Sequence, residues 1–113
     1  MADAVYINYE EGVKRVMNNA KFYVKMLGKF KDDNSLEVID SALEAGDFEK
    51  AKVAAHTQKG LAGNLSLTEL YLKSQELEDR FKNGVTDYEL LKTVKEVHSQ
   101  TLIEVEKVIA ENG

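Results

Sequence analysis

The hydrophobic residues of this chain recur at steps of three and four, which gathers them on single faces of successive helices. Phe22, Met26, Leu27 and Phe30 form one stripe, and Leu36, Ile39, Ala42 and Leu43 the next. Phe48, Ala51, Ala55, Ala62 and Leu65 form a third, with Gln58 at its one polar position. Leu67, Leu70, Leu77 and Phe81 follow, and then Leu91, Val94, Thr101, Val105 and Val108. No segment alternates in the manner of a half-buried strand.

Helix starts are marked by a capping residue followed three positions later by Glu. Asn8 with Glu11 predicts a short first helix ending near Met17, and Asn18 or Asn19 caps a segment running through Lys31. Asn34 with Glu37 opens the next helix, closed by Gly46 where a left-handed residue is wanted. Asp47 caps another. Ser66 with Glu69 and Thr86 with Glu89 mark two more, and Gly84 is a second stop signal. Short connections between the last three helices imply antiparallel neighbours. The expected fold is all-α: an antiparallel four-helix bundle with additional short N-terminal helices, forming one domain over residues 1–113.

Composition narrows the function. There is no proline, which leaves long helices easy to build, and no cysteine, which excludes disulfides, thiol catalysis and thiolate metal sites. A net charge of −5 argues against a nucleic-acid partner, whose phosphate backbone calls for a basic surface. No apolar stretch approaches the roughly 20 residues of a membrane span. The segment Met1 to Tyr9 lacks the basic region and apolar run of a secretory signal. A cytoplasmic protein is the expectation. Gly28-Lys29 has no glycine-rich loop before it and no Ser or Thr after it, so it is not a P-loop. Without a nucleotide site the chain is not expected to phosphorylate itself. Two histidines give little basis for a transition-metal site.

The segment Asp47–Leu65 departs from ordinary helix composition. It carries His56, and also Gly60 and Gly63, each costing about 1 kcal/mol relative to alanine inside a helix. The glycines lie four and seven residues beyond His56, on its own face, and Lys59 borders that face. The core stripe runs through other positions, so His56 is expected to point outward. A neutral imidazole is a good nucleophile near pH 7. Phosphoryl transfer needs in-line access for a bulky partner and positive charge near the phosphoryl oxygens. Small residues beside His56 and the Lys59 ammonium meet both needs. Close helix packing is the alternative use of the two glycines, and a solvated charge that of Lys59. His98 has no such company and sits at the edge of the core.

The stretch Ala55-His56-Thr57-Gln58-Lys59-Gly60-Leu61-Ala62-Gly63-Asn64-Leu65 resembles the signature of the histidine-containing phosphotransfer (HPt) domain family. Glu11-Gly12-Val13, Leu27 with Phe30, Gly46-Asp47, Leu70, and Leu77-Glu78 resemble the rest of the family pattern, so the likeness covers nearly the whole chain. The resemblance implies a phosphorelay intermediate of two-component signalling, phosphorylated on Nε2 of His56. Lys59 contacts the phosphoryl group, and Gly60 leaves room for a receiver domain. A Glu or Gln on the following helix orients the ring in some members; Glu78 stands at that position, with Gln75 one turn earlier as a substitute. An ordinary surface carboxylate is the other reading of Glu78. Gln58 stands where the family commonly has an apolar residue, and Ser66 where it commonly has glycine. The implied partners are response-regulator receiver domains or a hybrid sensor histidine kinase, with a monomer preferred. No cofactor is implied for this chain, since Mg2+ belongs to the partner receiver. A non-transferring adaptor that docks on receivers is the rival from the binding class.

Overall fold

Residues 5–112 are described in a computed structural model. They form α1 (Tyr9–Arg15), α2 (Ala20–Phe30), α3 (Ser35–Glu44), α4 (Phe48–Asn64), α5 (Thr68–Lys82) and α6 (Tyr88–Asn112). No strand occurs among the described residues. Met1–Ala4 and Gly113 lie outside them, as does that part of the Met1 to Tyr9 segment read above. α4 packs against both α3 and α5, α6 against α5 and α2, and α1 against α2.

Three helix starts follow the expected caps. Asn8 Oδ1 accepts from the Glu11 amide at 3.2 Å, Asn19 from Phe22 at 3.0 Å, and Asp47 from Lys50 at 3.0 Å. Three differ. Asn34 precedes α3 without a side-chain cap, and Asp33 instead accepts from the Ser35 amide and hydroxyl. Asp87, not Thr86, caps α6 by accepting from the Leu90 amide at 2.9 Å. Ser66 does not cap α5: the carbonyl of Val5 reaches across to accept from the Glu69 amide at 2.9 Å.

Ser66 is claimed by the helix before it. Its φ is +56°, and the amides of Ser66 and Leu67 close α4 by donating to Gly63 and Ala62. Gly46 and Gly84, both at φ +71°, end α3 and α5 in the same two-bond pattern. A serine there has the steric cost that glycine avoids. Its hydroxyl compensates by donating to Glu11 Oε1 at 2.8 Å, which ties the α4–α5 turn to α1.

The core is built from Tyr23, Leu27 and Phe30 of α2, Ile39 of α3, Ala51, Ala55 and Ala62 of α4, Leu70 and Leu77 of α5, and Val94 and Val105 of α6. The expected stripes of α2 and α4 were out of phase at one end: Phe22 and Phe48 are about half exposed, and Tyr23 takes the inner position. Gly12 explains how α1 approaches. A Cβ there would run into the Tyr23 ring, whose hydroxyl donates to the Leu65 carbonyl at 2.6 Å. Gly28 has no such neighbour, so close packing does not account for it. Tyr6, Ile7 and Tyr9 pack against the core.

Candidate functional site

α4 turns Ala51, Ala55, Gln58 and Ala62 inward, which leaves His56 on its outer flank with a side chain 65% exposed. Directly across, α5 presents Glu78, whose side chain is only 4% exposed. Of the two readings of Glu78, that of an ordinary surface carboxylate does not hold. Nδ1 of His56 stands 2.7 Å from Glu78 Oε2. Lys59, three residues beyond His56 on α4, places Nζ 2.9 Å from Glu78 Oε1. One buried carboxylate thus joins the histidine and the lysine of the sequence motif.

The charge states follow from this geometry. Burial pushes the Glu78 carboxyl pKa up, but hydrogen bonds from Lys59 and His56, with the charge of both, outweigh burial and hold it below its usual range. Lys59 is pushed up, chiefly by its hydrogen bond to Glu78, against the opposing effect of burial. Glu78 is therefore an ionised, acceptor-only group at neutral pH. The nitrogen facing it must carry the hydrogen, so Nδ1–H of His56 donates. In a neutral imidazole that leaves the lone pair on Nε2.

The two glycines divide. A Cβ at Gly60 would meet nothing within 4 Å, so the space beside His56 is open. A Cβ at Gly63 would come within 3.1 Å of Tyr71 Cδ1, so that glycine serves helix packing, as the alternative reading had it. A groove of about 440 Å³ runs past Lys59, Gly60 and Gly63 toward Arg15.

Gln75 is exposed on α5, and the hydrogen bond to the ring is made by Glu78 instead. Gln58 is fully buried, and its Oε1 accepts from Ser74 Oγ at 3.1 Å between α4 and α5. His98 packs its ring against Phe30 instead, with centroids 5.5 Å apart and the planes tilted by 50°, and burial pushes its pKa down. Lys82 was missed by the sequence reading. Its Nζ lies 3.8 Å from Glu78 Oε2, and the signal was its position four residues after Glu78.

A family model for the Hpt domain matches residues 25–108, a span that includes His56, Lys59, Gly60 and Glu78. The chain belongs to the Hpt domain family. No curated protein and no solved structure matched the chain. Hpt domains act in histidine phosphotransfer and lack kinase activity of their own, so membership gives this chain a part in a phosphorelay. The matched span begins inside α2, so α1 lies outside it. No helix among the described residues is long and apolar enough to cross a membrane.

Proposed function

We propose that this Hpt domain is a phosphorelay intermediate that accepts a phosphoryl group on His56 and passes it to the aspartate of another receiver domain. The observation that carries this reading is the buried, ionised Glu78 held against Nδ1 of an exposed histidine. It supports Nε2 of His56 as the nucleophile. Nε2 attacks phosphorus of a receiver aspartyl phosphate; the N–P bond forms, and the P–O bond breaks with its electron pair leaving on the aspartate. Nδ1 keeps its hydrogen, so the phosphorylated ring gains positive charge, and the Glu78 carboxylate 2.7 Å away stabilises it. The reverse sequence returns the group, so the carrier runs in either direction.

Gly60 supplies the approach for the partner. Lys59 is the cation nearest the phosphoryl group. Partners are response-regulator receivers or a hybrid sensor kinase, with Mg2+ held by the receiver. The presenting scaffold is read as an antiparallel four-helix bundle of α3 to α6. Short turns join these helices in sequence, and Lys95 of α6 meets Asp40 of α3 at 2.9 Å, joining last to first.

The test is to mix the protein with a phosphorylated receiver and follow label onto wild type and His56→Gln. Acid-labile, base-stable label on wild type alone is the expected result. Label on His56→Gln refutes the residue assignment. Receiver binding without any label replaces the carrier by an adaptor.

A further inference from the structure

Lys59 has two partners to serve under the phosphocarrier reading, on which this inference rests. In the resting site its ammonium is engaged by Glu78 Oε1 at 2.9 Å, and its side chain is only 23% exposed. Contact with the incoming phosphoryl group draws it away. Until the N–P bond has put positive charge on the ring, Glu78 is buried with one cation fewer. A buried carboxylate without adequate pairing takes up a proton. A protonated Glu78 ceases to be an obligatory acceptor, and the Nδ1–H tautomer of His56 is no longer fixed.

A second cation stands at the same carboxylate. Lys82 lies one turn beyond Glu78 on α5, with Nζ 3.8 Å from Oε2 and a side chain 54% exposed. That separation is longer than a hydrogen bond but within ion-pair range. The groups facing Glu78 are His56 and Lys59 from α4 and Lys82 from α5 itself. Asp79 and Tyr71 bear on Lys59. With a neutral ring, two lysines against one carboxylate leave a single positive charge in excess, which suits an incoming dianion. We propose that Lys82 is a positioning residue that takes over as the cationic partner of Glu78 while Lys59 moves to the phosphoryl group arriving at the still neutral His56 ring. Lys82 acts through Glu78 on the histidine and does not touch the reacting atoms.

Lys59→Met mimics the departed lysine without any phosphoryl group. The experiment follows the Glu78 carboxyl carbon and the His56 ring nitrogens by NMR across pH, in Lys59→Met with and without Lys82→Met. The expected result is that adding Lys82→Met moves the Glu78 midpoint upward and loses the Nδ1–H tautomer at a higher pH, while Lys82→Arg restores both. In the otherwise wild-type chain, Lys82→Met is expected to slow label uptake roughly threefold, the scale of an exposed ion pair. It also shifts the acid limb of the rate profile to higher pH. An identical Glu78 midpoint with and without Lys82 overturns the proposal alone. Absence of label on wild type overturns the carrier reading, and with it the transfer step assigned to Lys82, even where the NMR coupling is seen.

Discussion

At Gly60 stability and access make opposite demands, and a single methyl group measures both. The residue lies inside α4, where glycine is less favourable than alanine by roughly 0.8–1 kcal/mol. A Cβ at this position meets nothing within 4 Å, so no packing penalty offsets the gain. Gly60→Ala is therefore expected to stabilise the fold by about 1 kcal/mol. For a chain of 113 residues this raises Tm by about 4 °C. The same methyl projects into the space proposed for the receiver. A crowding penalty of about 1.4 kcal/mol slows transfer roughly tenfold, and the usual range for an inserted methylene spans that value. Thermal and urea melts followed by circular dichroism give the first quantity, and label transfer from one phosphorylated receiver gives the second. Gly63→Ala is the internal control. Its methyl presses on Tyr71 at 3.1 Å, so its stability gain must be smaller than that of Gly60→Ala. A Gly60→Ala protein that is more stable and transfers at the wild-type rate refutes the access argument. One that is less stable refutes the open geometry itself.

Gly12→Ala is expected to cost about 2 kcal/mol in urea melts, because the new methyl overlaps the fully buried Tyr23 ring. A Tyr23→Leu background should relieve most of that loss. Gln58→Leu combined with Ser74→Ala is expected to stabilise by about 1 kcal/mol, since Gln58 Nε2 is buried without a hydrogen-bond partner and the pair adds little net energy; a loss in the double variant refutes this. Stability should also fall in two acid steps. Burial depresses the His98 pKa in the fold, so the unfolded chain binds that proton first and stability drops as pH falls through the ordinary imidazole range. Glu78 stays ionised in the fold below the usual carboxylate range, so its contribution is lost only at more acid pH. Urea midpoints measured against pH should show the upper step disappear in His98→Gln and the lower one in Glu78→Gln.

Helix existence was legible because it rests on spacing, and spacing is local. The errors fall where a residue answers to two elements. Ser66 with Glu69 has the form of a capping box, yet the end of α4 needs a left-handed residue at 66, and the serine hydroxyl turns to Glu11 of α1. The Val5 carbonyl that replaces it on the Glu69 amide comes from the far end of the chain and leaves no trace near position 69. Thr86 lost to Asp87 by one residue, a choice between two competent caps. Phe22 and Phe48 show the limit of periodicity: each extends a genuine stripe, but the phase at a helix end is set by the neighbour, and Tyr23 fills the space over Gly12.

The site divides along the same line. His56, Lys59 and Gly60 lie within one helix, so their common flank could be derived from residue spacing alone. Glu78 is 22 residues away on another helix, and only the family resemblance picked it out. Nothing in its local sequence separates a buried carboxylate from the half-buried Glu76 or the exposed Asp79 nearby, because its burial depends on how α5 meets α4. Burial is nevertheless what gives Glu78 its effect. A solvated carboxylate would lose most of its hold on the ring to water. With its side chain 4% exposed, it needs cationic partners and so gathers Lys59 and Lys82, and it leaves His56 one hydrogen to donate from Nδ1. The exposed histidine owes the free lone pair on its Nε2 to the one member of the cluster that solvent barely reaches.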